Sequence, residues 1–352
     1  MNICFLSMKG NFNRNLGQGV QIYIYEIWKN VDRFAPKSYN IEKTELGLDG
    51  GPSTRKLSFT VAQMFHDFSK YDIVHMPAPI MFNPRCKNTV TTVHEFFMLD
   101  ESHPMYTKPK LNLNPMAIAS DAIVNSIRNQ ILKSDYLLPN STQTFEEGVR
   151  LGISRERMFM INHSIEDKFV TGRLPEARQG RFTAGYLGSM HDRKNVAFAI
   201  RSFSMTKSTK STFEVWGNIK PGHSDVINEA AKNPNVKLKG FAPETKKVRI
   251  YDGLDLFLYP SLYEGFGKEI LEAQARGVPV IIYKKGKIPK EVRKYCFEAR
   301  DEHHMAQFID SIRENGYNEG RRKKAARYAR TFTWKKCATE TIAAYKKIES
   351  NG

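Results

Sequence analysis

Two glutamates separated by seven residues, Glu264 and Glu272, mark the stretch of this sequence best suited to hold a ligand. They flank Gly265 and Gly267 within Leu258–Ile282, a segment that is predicted to run strand, loop, helix and strand. Because glycine has no Cβ, the loop can bend sharply and a ligand can approach its amides. Unpaired N–H groups at the start of a helix favour hydroxyl oxygens or phosphate. The second glutamate lies about 7–8 Å further along the helix axis. The two carboxylates can therefore bond two polyhydroxylated parts of one ligand; a helix-start charge and a surface residue are the alternative reading.

Further candidate residues follow other predicted strands. His94 closes the buried strand Asn88–His94, and open α/β sheets bind ligands at the carboxyl ends of their strands. A hydrogen-bonded structural histidine is the alternative. The segment Glu101–Pro115 is a long proline-containing loop, and long loops in compact domains are often binding elements. We expect it to provide acceptor contacts.

Two glycine-containing turns precede predicted helices, where either a phosphate contact or ordinary helix-start residues would fit. Gly17-Gln18-Gly19 lies between a strand, Ile3–Ser7, and a helix, Val20–Val31, although the full GxGxxG pattern is missing. The turn from Gly188 to Asn195 carries Arg193 and Lys194 where a helix begins. Cations are mildly unfavourable at that end of a helix, so they would benefit from an anionic ligand.

Length and composition limit the class of protein. The 352 residues suffice for two domains, and no run of eighteen apolar residues predicts a membrane-spanning helix. The apolar start of the chain is too short for a signal peptide, and the four cysteines are scattered, which indicates reduced thiols in a cytoplasmic protein. A net charge of +17 favours anionic partners. The basic run Arg321–Arg330 is either a solvated helix face or a contact with an anionic membrane.

Strand-like and helix-like segments alternate along the whole chain. The first series ends with a predicted strand at Phe159–Ser164, and Thr171–Gly180 is polar enough to be an interdomain linker. A second series begins at Phe182 and ends in a helix near Glu349. Two consecutive βαβ arrays predict an α/β protein with two Rossmann-like domains facing across a cleft.

The string Pro-Ser-x-x-Glu-Gly-Phe-Gly, followed by Glu-Ala-x-Ala-x-Gly-x-Pro-Val, resembles the signature of retaining GT-B glycosyltransferases that use nucleotide-diphospho-sugars, the group 1 (family 4 type) enzymes. The resemblance implies that Glu264 contacts the hydroxyls of the donor sugar beside the amides of Gly265, Phe266 and Gly267. It also implies that Glu272 holds the ribose. Lys268 is a departure, because an apolar residue is common there.

The same resemblance implies roles elsewhere in the chain. Lys194 matches a lysine that grips the donor diphosphate, whereas Ser189 replaces the family's arginine, and we expect Arg193 to supply that charge. His94, followed by Glu95, would face the sugar. The remaining positions would contact donor phosphates or nucleoside: Gly19, Gly217 and Phe241.

The resemblance extends over most of the chain and implies its domain organisation. Residues 1–171 would form an N-terminal Rossmann-like domain on the acceptor side, and residues 180–331 a C-terminal domain that binds the donor. The last segment, 332–352, would be a helix that crosses back to the first domain, with Trp334, Ala338, Ile342 and Tyr345 at helical spacing.

The sequence therefore predicts a retaining hexosyltransferase that uses a donor of the GDP-mannose or UDP-hexose type and a glycan, lipid-linked or protein acceptor. The catalytic roles are assigned to Glu264, His94, Lys194 and Arg193. We expect no cofactor and no metal, because Asp-x-Asp occurs nowhere in the chain. Peripheral contact with the inner membrane face is one possible setting. Alternatives are an epimerase or phosphorylase of the same fold, a nucleotide-sugar-binding module without catalysis, and a nucleic-acid acceptor, which no aromatic-and-basic stacking pattern supports.

Overall fold

The computed structural model describes residues 1–13, 19–49, 52–96, 115–176, 180–208, 210–220 and 222–351. The chain divides into two compact units, one made of residues 1–163 with 334–352 and the other of residues 164–333. Gln18 and the loop predicted to hold acceptor contacts, Glu101–Pro115, fall outside the described residues except for Pro115. No described helix has both the length and the apolarity needed to cross a bilayer.

The described part of the first unit contains a parallel sheet in the order β2-β1-β3-β4-β5. Its strands are β1 (Asn2–Met8), β2 (Asn40–Leu46), β3 (Ile73–Met76), β4 (Thr89–Val93) and β5 (Tyr136–Pro139). The helices that alternate with them are α1 (Val20–Phe34), α2 (Pro52–Phe65), α3 (Pro115–Lys133) and α4 (Thr142–Arg150).

Burial explains why the central strands could be read from the sequence and the edge strand could not. β1, β3 and β4 are almost wholly buried, as expected for parallel strands covered on both faces, and their sequences are accordingly apolar or small. β2 is an edge strand of mixed exposure, and its sequence NIEKTEL has no apolar run. Neither β2 nor α2 was predicted.

The described part of the second unit contains a parallel sheet in the order β11-β10-β9-β6-β7-β8. Its strands are β6 (Thr183–Leu187), β7 (Thr212–Trp216), β8 (Val236–Gly240), β9 (Leu256–Tyr259), β10 (Val280–Tyr283) and β11 (Phe297–Ala299). Its helices are α5 (Asp167–Val170), α6 (Val196–Ser204), α7 (Ser224–Ala231), α8 (Lys247–Asp252), α9 (Lys268–Ala275), α10 (Lys290–Arg293), α11 (Glu302–Asn315) and α12 (Glu319–Ala329). The predicted fold class, two parallel α/β sheets, is confirmed.

The last helix, α13 (Trp334–Asn351), belongs to the first unit. Its predicted apolar positions are buried in the same core as Tyr23 and other residues of α1: Trp334, Ala338, Ile342 and Tyr345. The chain thus enters the second unit after His163 and leaves it before Trp334.

The boundary between the units was predicted too late in the chain. The sequence predicts a linker at Thr171–Gly180, but α5 already belongs to the second unit, where Phe169 is buried in the core. Arginines then fix the following segment: Nη1 of Arg276 donates to the carbonyl of Thr171 (3.2 Å) and Nη1 of Arg330 to that of Gly172 (3.0 Å). A polar composition therefore marks an arginine-bound segment here, and the change of unit falls at residues 163–164.

The predicted strand Phe159–Ser164 is also corrected. The segment is extended but forms no ladder. Two of its N–H groups, those of Phe159 and Ile161, donate to carbonyls of β5, at Leu137 (3.0 Å) and Pro139 (2.9 Å). The N–H of His163 then donates to the carbonyl of Asn140 (3.3 Å), and α5 begins at Asp167.

Candidate functional site: a charged crevice in the second unit

The order of strands in the second sheet creates a place for a ligand. β6 is the first strand of this sheet and lies beside β9, so the chain builds outward from this pair in both directions. At such a reversal the loops that follow the two strands diverge and open a crevice at the carboxyl edge. The loops here run from Gly188 to Asn195 and from Pro260 to Gly267, and they carry most of the predicted donor-binding residues.

The two loops are bonded to each other. The N–H of Leu262 donates to the carbonyl of Arg193 (2.7 Å), and the hydroxyl oxygen of Ser261 lies 3.1 Å from the same carbonyl oxygen. Asn195, in the left-handed conformation at φ 53°, begins α6 and donates from Nδ2 to the carbonyl of Pro260 (3.4 Å). These bonds fix the spacing of Arg193 and Lys194 relative to the glutamate loop.

Glu264 is the centre of the crevice. Its Oε1 accepts from Nζ of Lys194 (2.6 Å) and from the hydroxyl of Ser261 (2.5 Å), and its Oε2 accepts from Nη1 of Arg193 (3.1 Å). Both Glu264 and Lys194 are buried. Two cations therefore share one carboxylate, and buried charges interact more strongly than exposed ones. Three residues predicted from the sequence are thus brought together.

Tyr259 and Glu269 extend this cluster and were not predicted. Nζ of Lys194 also donates to the hydroxyl of Tyr259 (2.9 Å), which in turn donates to Oε2 of Glu269 (3.1 Å). Burial by itself would raise the pKa of Glu269, but Lys194, Lys268 and Lys247 together hold that pKa at about 2. Toward the described residues, Lys194 uses two of its three N–H donors, on Glu264 and Tyr259, and its third N–H could donate to a ligand oxygen.

Glu272 lies on the buried face of α9 and makes a separate set of contacts. Its Oε2 accepts from the hydroxyl of Tyr251 (3.0 Å), and Lys268 is 3.9 Å from its Oε1. That Oε1 accepts no hydrogen bond from any described residue. Burial raises the pKa of Glu272, while Lys247 and Lys268 oppose this shift. A hydroxyl donor would satisfy the remaining oxygen, and Lys268 is an ion-pair partner of this carboxylate.

The glycine loop supplies the start of α9. Gly267 is its N-cap at φ 89°, a conformation that favours glycine, while Gly265 and Phe266 are buried beside it. The first N–H groups of the helix therefore point toward the same edge as Glu264.

The turns after β6, β7 and β8 lie side by side. The N–H of Gly188 donates to the carbonyl of Trp216 (3.0 Å) and that of Gly217 to the carbonyl of Gly240 (2.8 Å). A Cβ on Gly217 would come within 2.3 Å of the carbonyl oxygen of Gly188, so only glycine fits there. Next to these turns, Ser189 is exposed and Phe241 is 54% exposed. Ser189 and Phe241 remain candidate donor contacts. Because Ser189 is uncharged, it does not supply the positive charge that the sequence comparison expects at this turn.

In the first unit, His94 follows β4 and is half-buried. Its Nε2 donates to the carbonyl of Pro77 (3.0 Å), which leaves Nδ1 as an acceptor. Burial lowers the pKa of His94 to about 4, although the bond to Pro77 opposes this. Gly19 caps the start of α1 at φ 56° and is exposed. As the sequence predicted, His94 lies at the end of a strand and Gly19 lies directly before a helix.

Aromatic and histidine rings surround His94, and these were missed. Tyr23 of α1 packs edge-on against His94, with ring centroids 4.8 Å apart, and also contacts His163 (4.8 Å) and Trp334 (5.8 Å). Below them, His75 is fully buried and bonds the hydroxyls of Tyr345 (2.6 Å) and Thr92 (2.8 Å). His163 lies within the segment Phe159–Ser164 that the sequence predicted as a strand, so only its residue type could have drawn attention to it.

Among the residues that the structure describes, no group of three or more His, Cys, Asp or Glu side chains is placed to hold a metal ion. The metal independence predicted from the sequence stays a prediction.

Comparison with known proteins agrees with this picture. Residues 181–315, which include the crevice, match the model of the family "Glycosyl transferases group 1". The O-antigen chain mannosyltransferase B of Escherichia coli is 27% identical over 173 residues, covering 46% of this chain and 45% of that protein. The capsular polysaccharide biosynthesis glycosyltransferase CapM of Staphylococcus aureus is 26% identical over 230 residues, covering 60% and 58%. The chain spans about half the length of the curated relatives it matches.

Solved structures share the fold at low sequence identity. Sucrose-phosphate synthase from Thermosynechococcus elongatus superposes with a TM-score of 0.72 at 15% identity, covering 100% of both chains. The Anabaena protein HepE, in complex with UDP-glucose, superposes with a TM-score of 0.66 at 15% identity, covering 99% of each. Part of the second unit, residues 181–315, thus resembles the glycosyl transferases group 1 family, and the fold of the chain is GT-B.

Proposed function

We propose that this protein is a retaining glycosyltransferase that moves a hexose from a nucleotide-diphospho-sugar to a glycan or lipid-linked acceptor. The second unit would bind the donor and the first unit the acceptor. The observation that carries the proposal is the cluster of Arg193, Lys194 and Glu264 at the strand reversal of the second sheet. The match of residues 181–315 to the glycosyl transferases group 1 family and the relatives named for O-antigen and capsular polysaccharide support the same proposal.

We assign a role to each charged side chain of the crevice and to His94 of the first unit. Lys194 and Arg193 stabilise the negative charge that develops on the departing nucleoside diphosphate, as preorganised cations do best in a partly buried site. Glu264 holds both cations in place and orients the sugar hydroxyls. Glu272 accepts a ribose hydroxyl on its buried Oε1, which accepts no hydrogen bond from any described residue. His94 contacts the sugar or the incoming hydroxyl, with Nδ1 as the acceptor.

Donor and acceptor are proposed by class. One structural neighbour holds UDP-glucose and one curated relative is a mannosyltransferase, so the GDP-mannose and UDP-hexose types both stay in the proposal. The relatives named for O-antigen and capsular polysaccharide favour a growing surface polysaccharide over a protein acceptor. Because two fixed cations serve the diphosphate, we also propose that transfer needs no metal.

The first experiment is a thermal-shift panel of nucleoside diphosphates and nucleotide sugars without added metal. A ligand at 100 times its dissociation constant adds about 2.7 kcal/mol to stability. We expect the diphosphates of one base to raise Tm in the wild type and much less in Glu272→Ala, with exposed Glu314→Ala as the matched control. If the folded wild type responded to no nucleotide, the donor assignment would be wrong.

The stabilising donor is then used in a transfer assay, with and without EDTA, and the anomeric configuration of the product is read by NMR. Retention with full activity in EDTA is expected. An inverted product or a large loss in EDTA would contradict the mechanism while leaving the donor site intact.

A further inference from the structure

The turn between β10 and α10 is strongly basic. Its sequence, KKGKIPK, begins at Lys284 and ends at Lys290, and all of its lysines are exposed. We call these residues the lysine turn: Lys284, Lys285, Lys287 and Lys290. Between residues 273 and 290 the sequence contains no Asp or Glu. Like charges at this spacing repel one another, so an anionic partner would stabilise the turn.

Backbone contacts fix the lysine turn against the glutamate loop of the crevice. The N–H of Glu264 donates to the carbonyl of Lys287 (2.9 Å), and the N–H of Lys287 donates to the carbonyl of Leu262 (2.8 Å). A Cβ on Gly286 would come within 2.1 Å of the carbonyl oxygen of Ser261, so only glycine permits this close approach. The lysine turn therefore lies directly beside the residue that is proposed to orient the donor sugar.

Acids of the surrounding loops offset only part of this charge. Some of them are buried, half-buried or paired with arginine: Glu264, Glu291, Glu298 and Glu302. Two others are exposed, Asp192 after β6 and Asp301 after β11, and Asp301 also caps α11. Toward the described residues, the lysines of the turn form no ion pair. They outnumber the exposed acids, and their ammonium groups can serve an anionic partner.

Two kinds of anionic partner fit this turn poorly. A bilayer is bound by cations together with apolar side chains that enter the interface, but Ile288, the one isoleucine of the turn, is buried. Nucleic acid is bound by cations together with stacking aromatic side chains. The turn has no aromatic residue, and Tyr283, directly before it, packs against Phe198. Cations without exposed apolar or aromatic neighbours suit a hydrophilic chain that carries negative charges.

The spread of the charges favours the acceptor over the donor. Arg193 and Lys194, which are half-buried and buried, are already proposed to receive the diphosphate of the donor. The lysines of the turn are exposed and extend from residue 284 to residue 290. A donor carries its phosphates at one place, whereas an acidic glycan carries charged groups at intervals along its chain. An extended row of exposed cations matches the second arrangement.

The basic run in α12 and the residue after it differs from the lysine turn. Three of its arginines, Arg321, Arg322 and Arg330, donate to backbone carbonyls of the second unit. The exposed cations of the run are Lys323, Lys324 and Arg327. They lie on a helix and not on a loop of the crevice, which makes them a matched control of equal charge.

We propose that the lysine turn binds the negatively charged groups of an acidic acceptor glycan, one with carboxylate or phosphate substituents, and so holds this acceptor beside the donor sugar. The inference rests on the proposed glycosyltransferase function and names the chemical class of its acceptor.

The test is fluorescence anisotropy with the full chain and labelled oligosaccharides, in the absence of donor. The charged probes are oligogalacturonate, which carries carboxylates, and phosphorylated dextran. Their neutral counterparts are carboxyl-reduced oligogalacturonate and unmodified dextran of the same length. We expect at least one charged probe to bind at least tenfold more tightly than its counterpart, and the probe that does so identifies the anionic group.

The variant Lys284→Gln/Lys285→Gln/Lys287→Gln should weaken this binding about tenfold, at about twofold for each exposed ion pair that is lost. The control variant, Lys323→Gln/Lys324→Gln/Arg327→Gln, removes the same charge and should weaken binding less than threefold. All substituted side chains are exposed, so Tm should stay unchanged.

Three results would overturn the proposal. The wild type could bind neither charged probe, or bind the neutral counterparts equally well. The control variant could weaken binding as much as the lysine-turn variant, which would leave only an effect of net charge. The lysine-turn variant could weaken nucleoside-diphosphate binding as much as oligosaccharide binding, which would assign these lysines to the donor. The proposed function is tested separately by the thermal-shift panel, so either can fail without the other.

Discussion

The carboxyl edges of the two parallel sheets differ in the charge of the side chains that cluster there. In the second unit the edge is charged: Glu264 bonds Arg193 and Lys194, and Tyr259 links the lysine to Glu269. In the first unit the described cluster around His94 consists of neutral rings, with Tyr23 packed against His94 and the imidazole of His75 buried. Burial lowers the pKa of both histidines, so they stay uncharged near neutral pH.

This difference shows how each edge is held in place. Buried ions need specific partners at short distance, so the second edge is fixed by few contacts and loses much when one is removed. Neutral rings hold one another through packing and single hydrogen bonds, so the loss of one atom costs less. The charged edge suits a diphosphate and the neutral edge suits a sugar.

The largest expected effect comes from removing the central cation of the charged edge. Lys194→Met leaves Glu264 buried with one cation fewer, and we expect turnover to fall by about 10²–10³. Stability should fall by about 3 kcal/mol. Steady-state kinetics and urea unfolding measure the two effects, with exposed Lys323→Met as the control. Turnover within threefold of wild type would refute the role of Lys194.

Lowering the pH should destabilise the protein through its buried histidines in the first unit. His75 has a pKa of about 3 when folded and about 6.5 when exposed. The unfolded chain therefore binds more protons between these values, and stability is lost as pH falls through this window. At 1.36 kcal/mol per pH unit this contributes about 3 kcal/mol between pH 7 and pH 4.

His75→Gln should remove most of that slope in urea unfolding followed across pH, because glutamine does not titrate. His94 contributes a smaller slope of the same sign that remains in the variant. An unchanged pH profile in His75→Gln would contradict a neutral, buried His75.

Two tyrosines allow a direct comparison of the edges. Tyr259→Phe breaks a bridge between two ions and should cost about 2–3 kcal/mol, whereas Tyr345→Phe removes a bond to the neutral His75 and should cost about 1 kcal/mol. Both tyrosines are fully buried, so packing losses are matched. Urea unfolding of the two variants gives the difference. If both variants lost the same free energy of unfolding, the proposed difference between the charged and the neutral cluster would be wrong.

A smaller effect is expected at the glycine loop. Gly267→Ala places an alanine at φ 89°, which costs roughly 1–2 kcal/mol. Its Cβ would meet Glu264 only at ordinary contact distance, 3.6 Å, so the cost is conformational. Gly222→Ala, where a Cβ meets nothing within 4 Å, is the control and should change stability by less than 0.5 kcal/mol. Thermal unfolding compares the two, and equal shifts would argue against backbone strain at Gly267.

The sequence predicted the charged edge better than the neutral one, for physical reasons. Arg193, Lys194 and Glu264 lie on two loops beside adjacent parallel strands, and the carboxyl ends of such strands must meet. Tyr259 and Glu269 were missed because a tyrosine in a buried strand and an acid in a first helical turn are both common. Only the folded geometry shows that they share Lys194.

The neutral edge depends on contacts between distant segments. Tyr23, His163 and Trp334 come from α1, the segment before the second unit and α13, and no spacing in the sequence links them. β2 was missed because an edge strand carries no apolar run. α2 was missed because its exposed apolar stripe departs from the usual amphipathic pattern.

The central claim is that Arg193 and Lys194 receive the diphosphate of a nucleotide donor, and calorimetric titration tests it most directly. Wild type, Lys194→Met and Lys323→Met are each titrated with the stabilising nucleoside diphosphate and with the corresponding nucleoside. We predict that Lys194→Met weakens diphosphate binding at least thirtyfold and nucleoside binding less than threefold, while Lys323→Met matches wild type. Equal losses for both ligands, or none for the diphosphate, would contradict the account.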